Sequence, residues 1–295
     1  MIELRTAEST ADLENWARLK STVVPNEPVT ARQLVAADEE GRLLLLAEFN
    51  GILAGCGIAA PSHFGGLAFI SARVLPEHRR RGVGTELVRA LSDHARSLGR
   101  DGVNAFVYAD EPHSLAFAEQ FGLVEVDYQL EQRRAIGDEP RPELPDGIEI
   151  TPLTGRREEL LTAAWDAVAV EGYADMPLPG EVSYALEDWL REEATRPEGS
   201  FVALAGDAVV GYAGLLEHAN GDATAEHGLT TVRRDQRGRG IARALKQTQL
   251  RWAAEHGVVE LVTWTQKGNE AMQALNRSLG YVDASKVITF QGPLP

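Results

Sequence analysis

The sequence predicts an α/β fold in two tandem domains, because one site-building pattern occurs twice along its 295 residues. Residues 74–123 and 232–281 align without a gap, at an offset of 158 residues that carries Gly82 onto Gly240. In both copies an apolar, β-branched strand runs into an amphipathic helix, and the order of the surrounding elements recurs. A repeat that includes loop chemistry as well as packing positions indicates two related domains.

Apolar spacing and turn residues assign the elements of each copy. The helix after each loop carries apolar or uncharged positions three and four residues apart: Val83, Leu87, Leu91, Ala95 and Leu98 in the first copy, and Ile241, Leu245, Thr248 and Trp252 in the second. Asn50-Gly51 and Gly206-Asp207 each join two apolar runs and predict hairpins. Each half is then expected to follow the order β-α-β-β-β-α-β-α-β.

A stretch rich in proline, glycine and charge marks the boundary between the halves. We expect an N-terminal domain over residues 1–135, an extended linker over 136–147, and a C-terminal domain over 148–295. Both domains fall within the usual size range.

Composition excludes several classes of protein. A net charge of −15 argues against nucleic acid or an anionic membrane as the main partner. Cys56 is the single cysteine, so no intrachain disulfide can form, and its apolar neighbours predict a buried small residue. No secretion-signal pattern and no run of 18 apolar residues occur, and the histidines lack metal-ligand spacing. We expect a cytoplasmic monomer or homodimer without a metal site.

Both copies place an Arg/Gly loop where a strand turns into a helix. The loops read Arg79-x-x-Gly82-x-Gly84 and Arg237-x-x-Gly240-x-Ala242. Unpaired N–H groups and the positive end of the helix dipole make such a turn an anion site, and glycine permits close backbone approach. Neither loop ends in the Gly-Lys-Ser/Thr of a Walker motif or carries the three glycines of a Rossmann motif. The expected ligand group is a phosphate or pyrophosphate.

The segment that follows each loop narrows the interpretation. A strand, a polar break and a short helix end in Phe121-Gly-Leu123 or Leu279-Gly-Tyr281. Together with the loops, this resembles the GNAT superfamily of acyl-CoA N-acyltransferases, whose sheet is mixed and mostly antiparallel, with helices on both faces. The resemblance implies acetyl-CoA as cofactor, held by Val74, Arg79, Arg80, Arg81, Gly82, Val83 and Gly84 in one copy and by Val232, Arg237, Gly238, Arg239, Gly240, Ile241, Ala242 and Asn269 in the other.

The chemistry that this resemblance implies is direct attack of a neutral amine on the thioester, with a backbone N–H on the preceding strand stabilising the oxyanion. Glu226 and His227 are the candidate proton acceptors, and alternation along a strand allows only one of them to face the cleft. Many members place a tyrosine four residues before the last Gly, as acid for the thiolate. Asn276 stands there, and a neutral amide cannot supply a proton.

The two halves are unequal at these positions. At an offset of 158 residues, Glu226 aligns with Ala68 and Asn276 with Ala118, neither of which can exchange a proton. Asn269 is expected to cap the later helix or contact pantetheine, whereas the first half has Glu111-Pro112 there. We therefore expect catalysis in the C-terminal half, while the first loop, which has a full Arg/Gly set, is expected to bind CoA without turnover.

Acceptor selection is expected in residues 171–198, which hold eight acids against two arginines and a helix over 184–193. Tyr173 and Asp175, on an irregular loop, are the candidate acceptor contacts, and Glu187 to Glu193 are equally well explained as a solvated helix face. An acidic mouth favours a small cationic amine such as a polyamine, aminoglycoside or amino sugar. A protein N-terminus or lysine as acceptor, and a non-catalytic CoA sensor or scaffold, stay open as alternatives.

Overall fold

The computed structural model describes residues 1–25, 27–62, 65–177, 185–218 and 221–295. These fall into two compact units. The N-terminal unit contains residues 1–128 and 287–295, and the C-terminal unit contains residues 129–177 and 185–286. Glu181 and Tyr184, in the acidic segment, lie outside the described residues.

The N-terminal unit is a mixed sheet with helices on its faces, in the predicted element order. Its elements are β1 (Ile2–Thr6), α1 (Thr10–Val23), α2 (Ala31–Ala36), β2 (Leu43–Phe49), β3 (Ile52–Pro61), β4 (Leu67–Val74), α3 (Val83–Ser97), β5 (Gly102–Tyr108) and α4 (Pro112–Gln120). The strands from β1 to β5 lie side by side in chain order, and only β4 and β5 run parallel. Leu87 and Leu91 of α3 are fully buried against this sheet.

Local sequence explains where these elements begin and turn. Ser9 caps α1 through a reciprocal bond with Asp12, and Thr30 caps α2 in the same way with Gln33. Asn50 and Gly51 adopt φ of 54° and 79°, as the two-residue hairpin between β2 and β3 requires.

The C-terminal unit repeats this layout. The elements from β6 onward are β6 (Val124–Ala135), β7 (Glu149–Pro152), α5 (Arg157–Ala164), a π-helical turn (Trp165–Ala169), α6 (Val170–Ala174), α7 (Leu186–Glu192), β8 (Phe201–Ala205), β9 (Ala208–Glu217), β10 (Thr224–Val232), α8 (Ile241–Glu255), β11 (Glu260–Gln266), α9 (Glu270–Ser278) and β12 (Val282–Pro293). Residues 124–128 of β6 and 287–293 of β12 belong to the N-terminal unit. The strand order is β6-β11-β10-β9-β8-β7, with β10 and β11 parallel.

Each unit takes its last strand from the other repeat. Residues 129–135 of β6 pair antiparallel with β11, whereas residues 287–293 of β12 pair antiparallel with β5. The compact units thus differ from the consecutive segments 1–135 and 148–295 at these two strands. The physical reason is that these pairings join residues far apart in the chain, which local sequence patterns do not specify.

Burial confirms the expectation for Cys56. Cys56 is fully buried on β3, and burial raises the pKa of its thiol to about 12, so it is inert as a nucleophile at neutral pH. Trp189 is buried in the core of the C-terminal unit, whereas Trp165 and Trp252 are only partly buried. Among the helices of the described segments, none has the length and apolar character needed to cross a membrane.

Candidate active site

The two Arg/Gly loops share one backbone conformation. Gly82 and Gly240 precede α3 and α8 with φ of 86° and 85°, in the left-handed region that favours glycine. Two residues earlier the chain is left-handed again, at Arg80 with φ of 60° and at Gly238 with φ of 76°. The arginine before each turn donates its Nε–H to the last strand carbonyl, from Arg79 to Val74 and from Arg237 to Val232.

Both loops leave helix N–H groups available. The first bonded amides are those of Glu86 and Ala244, which donate to the carbonyls of Gly82 and Gly240. Within the described parts of the chain, no acceptor bonds the N–H groups of residues 81–85 or 239–243. The predicted anion-binding geometry is therefore present in both repeats.

A gap opens beside each loop strand. β10 pairs with β11 only over residues 224–226, and β4 pairs with β5 only over residues 67–69. The Arg233 N–H bonds the Val210 carbonyl of β9, so alternation directs the N–H groups of Thr230 and Val232 to the opposite side, toward the gap. These amides line a slot that leads to the Arg/Gly loop.

Glu226 and His227 lie on opposite faces of β10, as alternation requires. The His227 ring is buried and its Nε2 lies 2.6 Å from the Tyr281 hydroxyl. Burial, with the charge of Lys246 as a second cause, lowers the pKa of His227 well below its usual value. His227 therefore belongs to a buried polar cluster, and the structure gives no support for its proposed role as base.

Glu226 is partly buried and faces a row of ionisable side chains. It lies opposite Val262 of β11, which in turn lies opposite Arg133 of β6. Burial, as the main cause, and the negative charge of Glu131 raise the pKa of Glu226 to about 7, against the opposing effect of Arg133. A carboxylate poised near neutral pH is suited to accept a proton.

A β-bulge in β10 distinguishes the second repeat from the first. In β10 the register changes between His227 and Thr230, so that Gly228 and Leu229 together oppose one residue of β9. In β4 the pairing with β3 runs without interruption from Ala68 to Val74. The extra residue places Glu226 at the sheet position of Phe69, one residue from the Ala68 that a gapless alignment assigns.

Asn276 lies inside the unit rather than at the slot. Its side chain is fully buried, and its Nδ2 donates to Oε1 of Gln132 on β6 at 2.9 Å. The Gln132 amide in turn donates to Asp283 at 2.9 Å. The amide nitrogen is thus committed to an internal network, and the suggested role of Asn276 in catalysis gains no support from its position.

Asn269 and its counterpart in the first half, Glu111, each directly precede a helix. Asn269 caps α9, its side chain accepting the Met272 N–H at 3.4 Å, and Pro112 begins α4 directly after Glu111.

The two candidate acceptor residues are placed differently from each other. Asp175 forms ion pairs with Arg234 and with Arg237, at 2.7 Å from the latter, and the Arg234 hydrogen bond is the main cause that lowers the pKa of Asp175 to about 2. Asp175 is therefore ion-paired with the Arg/Gly loop in this structure. Tyr173 is partly buried, with its ring 6.1 Å from that of Trp189 and 6.3 Å from that of Trp165.

Comparison with known proteins agrees with this geometry. The Acetyltransferase (GNAT) family profile matches residues 6–123 and 162–281, which together make up most of the chain. The chain belongs to the GNAT acetyltransferase family. It is therefore an acetyltransferase, and the acetyl donor of this family is acetyl-CoA.

Relatives and solved structures extend over both repeats. The chain is 29% identical over 256 residues to the mycothiol acetyltransferase of Thermomonospora curvata, covering 85% of this chain and 82% of that protein. It is 27% identical to the mycothiol acetyltransferase of Kocuria rhizophila, covering 89% of each. A GCN5-related N-acetyltransferase from Sphaerobacter thermophilus shares the fold with a TM-score of 0.80 at 22% identity, over 99% of this chain and 96% of that one. A tandem GNAT protein from the clavulanic acid biosynthesis pathway does so with 0.78 at 19% identity, over 100% and 99%.

Sequence reasoning missed three ionisable residues beside Glu226. Glu131 and Arg133 reach the C-terminal unit on β6, where Arg133 donates to Glu131 at 2.6 Å and to Glu260 at 2.9 Å. The alternation of Glu131 and Arg133 is typical of a strand, but the predicted domain boundary places that strand in the N-terminal domain. Glu193 directly follows α7, and its carboxyl group faces the sheet instead of a solvated helix face.

Proposed function

We propose that the C-terminal unit transfers the acetyl group of acetyl-CoA to the primary amine of a small cationic acceptor, by direct attack of the amine. The observation that carries this proposal is Glu226, whose carboxyl lies on the slot-bearing strand and has a pKa of about 7. Its counterpart in the N-terminal unit is Phe69, which cannot accept a proton.

Acetyl-CoA supplies an activated acyl group as a thioester, and the chain supplies its binding surface. The N–H groups of residues 239–243 and the guanidinium groups of Arg237 and Arg239 suit the pyrophosphate, since they combine free donors with positive charge. Arg237 also pairs with Asp175 and Glu171, so that pair must open or share the guanidinium when an anion binds.

The slot beside β10 is a suitable place for the reacting carbonyl group of the thioester. The Thr230 N–H points into the gap between β10 and β11, where a donor can stabilise negative charge that develops on a carbonyl oxygen. Glu226 lies four residues earlier on the same strand, with its side chain available for the acceptor amine. This arrangement places a proton acceptor and an oxyanion donor on one short segment.

Glu226 acts as the general base in this proposal, and the leaving thiolate needs no protein acid. A thiol pKa near 8.5 makes the thiolate a tolerable leaving group, which fits the internal placement of Asn276. The base is required because an acceptor ammonium must lose a proton before it can attack.

Two features favour a small acceptor with positive charge. The curated relatives that match both repeats are named mycothiol acetyltransferases, a name that refers to a small molecule and not to a protein substrate. Glu226 stands beside Glu131 and Glu260 with Arg133 among them, so negative charge predominates around the proposed acceptor site.

A thiol-release assay with acetyl-CoA and a panel of amines tests the proposal. The panel should contain matched pairs of cationic and uncharged primary amines, together with a lysine-containing peptide. We expect turnover with small cationic amines that falls as ionic strength rises. Turnover confined to the peptide, or no turnover with any amine, would contradict the proposal.

A further inference from the structure

We propose that Glu193 is a positioning residue for Glu226, because it holds the β10 bulge that turns Glu226 away from α8. The inference rests on the proposed function of Glu226. Glu193 lies outside the Arg/Gly loop.

The Glu193 carboxyl group is bonded at both oxygens. Oε1 accepts the N–H of Leu229 at 3.1 Å, and Oε2 accepts the hydroxyl of Tyr212 at 3.0 Å. The backbone of Glu193 is also held, since its N–H bonds the Trp189 carbonyl and its carbonyl accepts from Arg157. The residue is partly exposed, yet its carboxyl group lies inward between β9 and β10.

Two glycines make room for this carboxyl group. A Cβ atom added at Gly228 would lie 2.3 Å from Glu193 Oε2, and one at Gly214 would lie 2.4 Å from the same oxygen. Neither glycine has a positive φ, so the backbone does not require glycine at these positions. At Gly228 the three nearest atoms all belong to Glu193. These glycines therefore form a seat for the Glu193 carboxyl group.

The seat coincides with the bulge. Gly228 and Leu229 are the residues that the register change leaves over, and the Leu229 N–H donates to the Glu193 carboxyl group. A polar group left unbonded in the interior is costly, and Glu193 supplies the missing acceptor. Glu193 thus stabilises the bulged register over a continuous one.

The bulge decides which way Glu226 points. Ala68 stands as many residues before Gly82 as Glu226 does before Gly240, and in the continuous strand β4 it is buried in the core with Leu87. The extra residue in β10 reverses this alternation, so that Glu226 shares the face of Leu229 and Thr231. Without the bulge, Glu226 would point toward α8.

The charged and titratable groups around the pair come from several elements. Glu131 and Arg133 of β6 act on Glu226, whereas Tyr212 of β9, Glu192 of α7 and Arg157 of α5 surround Glu193. Glu193 itself acts on Glu226 as a further negative neighbour. Substitutions at Glu193 must therefore be judged by pH profile as well as by rate.

The first experiment compares Glu193→Ala, Glu193→Gln and the exposed control Glu192→Gln in the full-length protein. We expect Glu193→Ala to lower kcat on the order of 10²-fold, as a misplaced base would, with unchanged acetyl-CoA affinity. Glu193→Gln keeps an acceptor for the Leu229 N–H and should stay within about fivefold of the wild type. Glu192→Gln should have no effect.

A double-variant cycle distinguishes positioning from general damage. Because Glu193 acts through Glu226, Glu193→Ala should cause no further loss in a Glu226→Gln background, and its loss should shrink as pH rises. Gly228→Ala should reproduce the loss through the clash with Glu193, even if Glu193→Ala does not fold.

Three outcomes overturn the inference. Normal kcat in folded Glu193→Ala would remove Glu193 from the mechanism while leaving Glu226 as the base. Additive losses in the double variant would reduce Glu193 to a stability residue. Normal turnover of Glu226→Gln would remove the proposed base, and the positioning role with it.

Discussion

The two units share the conformation of the Arg/Gly loop but differ in the strand that precedes it. Both have left-handed glycines before the loop helix, free N–H groups and a gap beside the loop strand. Of these two loop strands, β10 carries the bulge and the carboxylate of Glu226, whereas β4 pairs without a bulge and contains no carboxylate. The loop conformation can therefore be the same in two repeats whose loop strands differ, because loop geometry and strand register are set by different residues.

The two units also differ on the sheet face that packs against α3 or α8. His227, Lys246, Gln249 and Tyr281 form a buried polar cluster in the C-terminal unit. The N-terminal unit has apolar side chains at the corresponding sheet and helix positions: Ile70, Val88, Leu91 and Leu123. The N-terminal unit is thus built for packing where the C-terminal unit retains polar chemistry.

Substitution of the loop glycines is expected to give the largest difference in turnover between the two units. Gly240→Val forces a β-branched residue into the left-handed region and blocks approach of the pyrophosphate, so turnover should fall by about 10²-fold or more. The strain itself is only about 1–2 kcal/mol, which the fold should survive. Steady-state kinetics and calorimetric titration with CoA measure both effects.

Gly82→Val is the matched control, since Gly82 has the same φ and similar free space. It should leave most turnover intact. If Gly82→Val abolishes turnover and Gly240→Val does not, the N-terminal unit is the catalytic one.

The second prediction concerns the proton acceptor. Glu226→Gln keeps the shape of the side chain and removes the base, so kcat/KM should fall by roughly 10² to 10⁴ near neutral pH. The wild-type rate should decline below about pH 7, as Glu226 becomes protonated, and the variant should lack this limb. At high pH the two rates should converge, because more acceptor is already a free amine. Unchanged acetyl-CoA affinity is the control, and normal turnover across the pH range would place the base elsewhere.

The third prediction uses the exchanged strand to separate the units. Phe290 is buried in the core of the N-terminal unit although it lies near the end of the sequence. Phe290→Ala should destabilise that unit by about 3–5 kcal/mol while turnover at low temperature changes little. Leu261→Ala, a buried change in β11, should instead weaken the C-terminal unit and its activity. Hydrogen exchange followed by peptide mapping reports which unit opens, and faster exchange of β11 in Phe290→Ala would contradict the assignment.

The smallest expected effect concerns the buried lysine. Burial lowers the pKa of Lys246 from 10.5 to about 7, so the unfolded state holds the proton more tightly than the folded state. The resulting destabilisation is full below pH 7 and disappears as pH rises toward 10.5. Lys246→Met should therefore raise the free energy of unfolding by a few kcal/mol at pH 7 and by much less at pH 10. Thermal unfolding at both pH values measures this, and a gain independent of pH would show that packing is the cause.

Much of the fold follows from local sequence. Apolar periodicity and turn residues predict the element order of both repeats, and Gly82 and Gly240 have the positive φ for which glycine is favoured. The cap of Asn269 and the burial of Cys56 also follow from neighbouring residues. These features depend on contacts within a few residues, which a sequence displays directly.

The remaining features depend on long-range pairing. The partner strands of β6 and β12 lie far away in the chain, so local sequence does not specify them. Glu131 and Arg133 of β6 could therefore not be assigned to the site from sequence. The bulge breaks the strict alternation on which strand alignments rest, which shifted Glu226 by one position. Glu193 lies just beyond a helix, where helical periodicity no longer predicts the direction of a side chain.

The exchange of terminal strands also bears on how the chain folds during synthesis. β5 ends at Tyr108, but its partner segment begins at Val287, so at 5–20 residues per second its edge waits roughly 10 to 40 seconds for the ribosome to deliver that partner. An unpaired strand edge is a template for association with other nascent chains. The C-terminal unit escapes this delay, because residues 129–135 are made before β11. Translation speed and chaperone access should therefore govern the yield of the N-terminal unit far more than that of the C-terminal unit.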